Sequence, residues 1–130
     1  MAQVPSFIST PRLEVTTASV ANTAIDGTGT INALISGVSS GTRVLEIDVQ
    51  ARATTAAALV NIFVTTDAGS TWRLFDQITV SAATVSNTVK ANRNFVTYNN
   101  LILPSSSARL GWTTTIGQWT NVIALGGDLT

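Results

Sequence analysis

Two long runs of period-two alternation, joined at a compact turn between Arg43 and Val80, restrict this chain's fold more than any other feature. In the first run Leu45, Ile47, Val49 and Ala51 point one way, and Glu46, Asp48, Gln50 and Arg52 point the other. That pattern describes a strand with one buried and one wet face. Leu59 to Thr65 follows as a more evenly apolar strand. Beyond the turn, Trp72, Leu74, Ile78 and Val80 form an apolar set interrupted by Asp76. A helix repeats every 3.6 residues and presents no such alternation. The Ala-rich stretch 51–58 has helical propensity, but its β-branched flanks and short length favour strand, loop, strand, with a corner at Thr54-Thr55-Ala56-Ala57.

The same period recurs along the chain. From Arg12 to Thr17, the residues Leu13, Val15 and Thr17 alternate with Arg12, Glu14 and Thr16. Asp26-Gly27-Thr28-Gly29 is a turn before a short strand from Thr30 to Ile35, and Gly37 to Gly41 is another turn. Val85 to Lys90 and Phe95 to Tyr98 read as strand pieces, with Asn92, Asn94, Asn99 and Asn100 in the turns between. Leu101 to Pro104 and the loop Ser105-Ser106-Ser107 lead into a strand from Leu110 to Thr115, and a last strand from Gln118 to Leu125 ends at Gly126-Gly127. About eight strands without an amphipathic helix predict an all-β antiparallel fold, a β-sandwich or small barrel. Residues 1–11, with Pro5 and Pro11, read as an extended N-terminal arm, and residues 12–130 as a single β-sandwich domain. Val4, Phe7 and Ile8 of the arm are the candidate partner contacts, able to cover the domain's own edge or to reach a neighbour.

Composition excludes several functions. The chain has no Cys and no His, which removes disulfides, thiolate chemistry, the commonest general base and the commonest metal ligand. Seven basic residues balance seven acidic ones, and charged residues are only 11 % of the total. The bases are scattered, so no stripe exists to neutralise a row of phosphates, and no nucleic-acid partner is expected. No apolar run is long enough for a transmembrane helix, so no membrane partner is expected either. Polarity comes instead from 21 Thr, 12 Ser and 9 Asn. Zero net charge with so few charges gives little colloidal repulsion, a composition suited to an assembly.

The turn in the opening pair carries the motif Thr65-x-Asp67-x-Gly69-x-Thr71-Trp72. It resembles the Asp-box hairpin of sialidases and related β-propellers. In the physical reading, the Asp accepts hydrogen bonds from turn amides, the Gly supplies a positive φ, and the Trp packs under the hairpin. A sialidase-type propeller also needs repeated boxes, an arginine cluster and a tyrosine nucleophile on a much longer chain. With one box and one Tyr, Asp67, Gly69 and Trp72 are assigned to a structural turn. Asp26 to Thr30 lacks the Gly-Lys-Ser/Thr of a phosphate loop, and Glu46 and Asp48 read as a solvated strand face compensated by Arg52. Asp48 and Asp76 are not read as a catalytic pair, nor Trp72, Trp112, Trp119 and Tyr98 as a sugar platform. No catalytic residue, cofactor site or metal site is expected.

From about Gly29 to Leu129 the chain also resembles small structural proteins of tailed-bacteriophage virions. The likeness rests on Gly41-Thr42-Arg43-Val44 with Ile47 opening a long strand, and on the Asp-Gly-Ser-type hairpin with its aromatic. It also rests on the Leu-Pro loop at Leu103-Pro104 and on the C-terminal run Asn121 to Leu129. The full Asp-box is a departure from that pattern. The resemblance implies a jelly-roll β-sandwich that acts as a capsid decoration or cement protein in the virion, assembled in the bacterial cytoplasm. It implies contacts with the major capsid protein or another virion protein, and a homo-oligomer, commonly a trimer. The alternatives are a tail, baseplate or fibre component, or a carbohydrate-binding β-sandwich module.

Overall fold

A computed structural model describes residues 8–52 and 56–129. Among them there is no helix, and eight strands run in order: β1 Ile8–Ala18, β2 Asn32–Ser36, β3 Thr42–Ala51, β4 Ala58–Thr65, β5 Arg73–Val80, β6 Arg93–Leu103, β7 Arg109–Thr114 and β8 Thr120–Leu129. They form two antiparallel four-stranded sheets, β1-β8-β3-β6 and β2-β7-β4-β5. The first is sheet A and the second sheet B. Inward residues of both build one core, with Val44, Ile47, Val49, Val122 and Ala124 from sheet A against Ile35, Val60, Ile62, Ile78, Leu110 and Trp112 from sheet B. The predicted all-β antiparallel sandwich is thus the observed architecture.

The differences from the sequence-based expectation have local causes. The alternation places Leu45 on one face with Ile47, Val49 and Ala51, yet it is 39 % exposed while those three are buried. A β-bulge between Val44 and Glu46 resets the alternation, so Val44 and Ile47 face the core and Leu45 is the extra residue. Residues 85–90 are a loop rather than a strand, because the Ser86 hydroxyl captures the amides of Thr88 and Val89 in a local turn. Asn99 and Asn100 do not turn the chain, and β6 runs through them from Arg93 to Leu103. Gly126 and Gly127 lie inside β8 rather than after it. Both neighbours of β8 bulge at this point, β3 after Val44 and β1 after Ile8. A Cβ on Gly126 would collide with the carbonyl oxygen of Arg43, and one on Gly127 with Ile8 Cγ2. Glycine is what lets β8 pass between them. The arm boundary drawn at residue 11 falls within β1, which pairs with β8 from Ile8 onward. Val4, Phe7 and Thr54-Thr55 lie outside the described residues.

Polar cross-links tie the layers together. Trp112 Nε1, fully buried, donates to Thr16 Oγ1 at 2.6 Å, joining β7 to β1. Tyr98 Oη donates to Asp76 Oδ2 at 2.8 Å, joining β6 to β5 at the opposite margin. Burial and then this bond raise the Tyr98 pKa far above its ordinary value.

Candidate interaction surface

β1 is turned against the usual rule for an amphipathic strand. Its inward set is Arg12, Glu14 and Thr16, and its outward set is Leu13 and Val15, 64 % and 55 % exposed. The inward charges are satisfied locally. Arg12 Nη2 donates to Glu14 Oε1 at 2.7 Å, and Arg12 Nη1 to Asp128 Oδ1 at 3.2 Å and to the Ser36 carbonyl at 2.6 Å. Asp128 Oδ1 also accepts from the buried Thr42 hydroxyl at 2.8 Å. This network fixes β1 against β2, β3 and β8 and holds Leu13 and Val15 outward.

The register extends this apolar strip across sheet A. Leu13 lies beside Leu125, then Glu46 and Thr97; Val15 lies beside Ile123, then Asp48 and Phe95. The β1–β8 half of the outer face is therefore aliphatic, and the β3–β6 half carries charge and an exposed Phe95. Asp48 Oδ2 accepts from Arg93 Nη2 at 2.6 Å and Nε at 3.0 Å, and the same guanidinium lies 4.8 Å from the Phe95 ring centre. Charge compensation for Glu46 and Asp48 comes from Arg93, whereas Arg52 lies over the Trp119 ring at 5.4 Å.

Sheet B presents a different case, since the centre of its outer face is buried while Leu59 and Leu74 of the same face remain 36 % and 37 % exposed. Phe63 is completely buried although it lies outside the central core, and Asn61 and Thr113 on the same outer side are buried as well. A Cβ on Gly111, the register neighbour of Phe63, would stand 2.6 Å from Ile31 Cγ2 and 3.1 Å from Trp72 Cη2. The segment between β1 and β2 and the Trp72 indole thus lie across this face. Asn22 shapes that segment, donating through Nδ2 to the carbonyls of Thr28 and Thr30 and accepting from the Ala24 amide. It also lines a shallow cleft of about 250 Å³ with Val20, Gly29 and Asn32. With its side chain engaged in those bonds, the cleft has no free polar group from Asn22 to offer a ligand.

The Asp-box residues sit at the β4–β5 corner. Thr65 Oγ1 donates to Asp67 Oδ1 at 2.7 Å, Thr71 N donates to the same oxygen at 2.9 Å, and Gly69 N donates to Thr65 Oγ1 at 3.0 Å. The Thr65 hydroxyl, then the Thr71 amide, hold the exposed Asp67 carboxyl below its ordinary range. Gly69 has φ +96° and Ala68 has φ +60°, and the Ala68 amide donates to the Ser107 carbonyl at 3.0 Å. The Thr65 hydroxyl, Asp67 Oδ1 and the Gly69 and Thr71 amides are all used in turn construction. The remaining candidates are dispersed: Asp76 faces inward from sheet B to Tyr98 while Asp48 faces outward from sheet A. Trp112 is core, Trp72 is half-buried and Trp119 is exposed. Ile8 opens β1 opposite Leu129. Among the described residues no three carboxylates gather to hold a metal ion, and no helix is long and apolar enough to cross a membrane.

No protein-family model matches the chain, and no curated protein matches its sequence. Leu13, Val15, Ile123 and Leu125 were not singled out as contacts from the sequence. The alternation at Leu13, Val15 and Thr17 was legible, but the side of the sheet it faces is decided by where Arg12 finds its partners.

Proposed function

We propose that this chain is a non-enzymatic structural protein of a tailed-bacteriophage virion, in the manner of a capsid decoration or cement protein that binds the head and copies of itself. The observation that carries the reading is the aliphatic strip of sheet A, where exposed Leu13 and Val15 lie beside half-buried Ile123 and Leu125, while the centre of sheet B's outer face is buried at Asn61, Phe63 and Thr113. Such a strip lowers its free energy when a partner covers it. The strand pairing supports the finer jelly-roll description, because β1 pairs with β8, β2 with β7, β3 with β6 and β4 with β5. The major capsid protein or another virion protein is the partner this reading implies.

Particles assembled without the chain, then incubated with the purified protein and imaged by cryo-electron microscopy, test it. The expected result is regular density on the head, with sheet A facing a neighbour. Density confined to the tail would replace the cement role with a tail or fibre role. Absence from particles, with saturable quenching of Trp119 fluorescence on a glycan panel, would favour a carbohydrate-binding module.

A further inference from the structure

We propose that β1 is a self-pairing edge: two copies join antiparallel through β1, about a twofold axis at Leu13, into one continuous eight-stranded sheet. This rests on the assembly reading above and specifies its first contact.

The four sheet edges differ in their protection. β2 is only five residues long. β5 is bulged at Phe75, where the register passes from Ile62–Asp76 to Phe63–Leu74, and β6 is interrupted between Leu101 and Thr97. Short length and irregularity are devices against edge pairing, as are an edge proline and inward charges. β1 carries Pro11, Arg12 and Glu14, and its charges are of opposite sign and able to pair with a second copy. β1 has eleven residues, and from Thr10 to Ala18 it pairs with β8 in unbroken register. Among the described residues, its far edge pairs with no other strand.

The sequence of β1 is self-complementary in one register. An axis at Leu13 sets Thr10 to Thr16 against their own mates, all within the unbroken run of β1. Residues whose numbers sum to 26 then face each other, which keeps both sheets' outer faces on the same side. On the inner side Arg12 opposes Glu14 of the second copy, and Glu14 opposes Arg12, extending each in-chain ion pair into an alternating row. On the outer side the row reads Leu125, Leu13, then Leu13 and Leu125 of the second copy. Moving the axis to Glu14 would set two glutamates against each other. Pro11, which lacks an N–H, removes at most one ladder bond per strand.

Because the chain has no cysteine, Leu13→Cys introduces a single thiol that meets its own mate across the axis, within disulfide reach in either kind of antiparallel pair. The full-length variant, oxidised mildly, is expected to form a covalent dimer rapidly, and Phe95→Cys on β6 to remain largely uncrosslinked. Leu13→Asp, checked for folding by circular dichroism, is expected to halve the solution mass measured by light scattering. Slow crosslinking of Leu13→Cys, no faster than Phe95→Cys, would overturn the β1 contact. So would a trimer whose mass Leu13→Asp leaves unchanged, although the assembly reading itself would survive that result. A wild-type protein that is monomeric at all concentrations, yet decorates particles, would also remove the self-pairing while leaving the virion role standing.

Discussion

At the scale of single residues, the inter-sheet hydrogen bonds of Trp112 and Tyr98 give the most direct tests. Thr16→Val leaves the fully buried Trp112 Nε1 without an acceptor, and a loss of about 1–3 kcal/mol in urea unfolding is expected. Tyr98 is the only tyrosine, so tyrosinate absorbance reports it alone. Its pKa is raised in the folded state by burial and by the bond to Asp76. The stability it contributes is therefore fully present below pH ~10, where an unfolded tyrosine titrates, and is lost as pH rises toward the folded value. Tyr98→Phe should be less stable than wild type at neutral pH and should lack this alkaline decline. A tyrosinate midpoint near 10 in the folded protein would contradict the bond. In the β4–β5 turn Ala68 has φ +60°, so Ala68→Gly should raise stability on the order of 1 kcal/mol by thermal melting. The motif from Thr65 to Trp72 was readable as a turn because Thr65, Asp67, Gly69 and Thr71 bond one another within a few residues. The Thr16–Trp112 bond spans the fold, and neither residue's local sequence signals it.

At the scale of elements, the alternation from Arg43 to Arg52 identified β3, but the bulge displaced Leu45 from the face assigned to it. A bulge depends on what the neighbouring strands require, and no pattern within β3 announces it. The glycines of β8 belong to the same irregularity. Gly126→Ala would place a methyl group against the Arg43 carbonyl, and a cost on the order of 3 kcal/mol in chemical denaturation is expected. A cost near zero would mean that β8 and β3 separate easily there. Val85 to Lys90 shows the opposite failure, since β-branched residues suggested a strand where a serine hydroxyl had already taken the amides. β1 lies between these cases. Its period was plain from Leu13, Val15 and Thr17, while its orientation is set by Arg12, whose partners at Ser36 and Asp128 are distant in sequence.

At the scale of the whole molecule, the outer faces of the two sheets differ at their centres. The segment between β1 and β2 and Trp72 serve sheet B as an outer layer, which explains a fully buried Phe63 outside the main core. Sheet A exposes Leu13 and Val15 beside half-buried Ile123 and Leu125, and the low charge of the chain leaves little electrostatic resistance to association there. The all-β class was legible from period and turn residues, whereas the aliphatic strip emerges only when strands distant in sequence are set side by side. The decisive measurement is solution mass by size exclusion with light scattering. It compares wild type with Leu13→Asp/Val15→Lys on β1 of sheet A and with Ile25→Lys/Leu59→Lys on the sheet B side. The predicted result is an oligomer that the sheet A pair reduces to a monomer and the sheet B pair leaves intact. An oligomer that dissociates only with the sheet B pair would contradict assembly through sheet A.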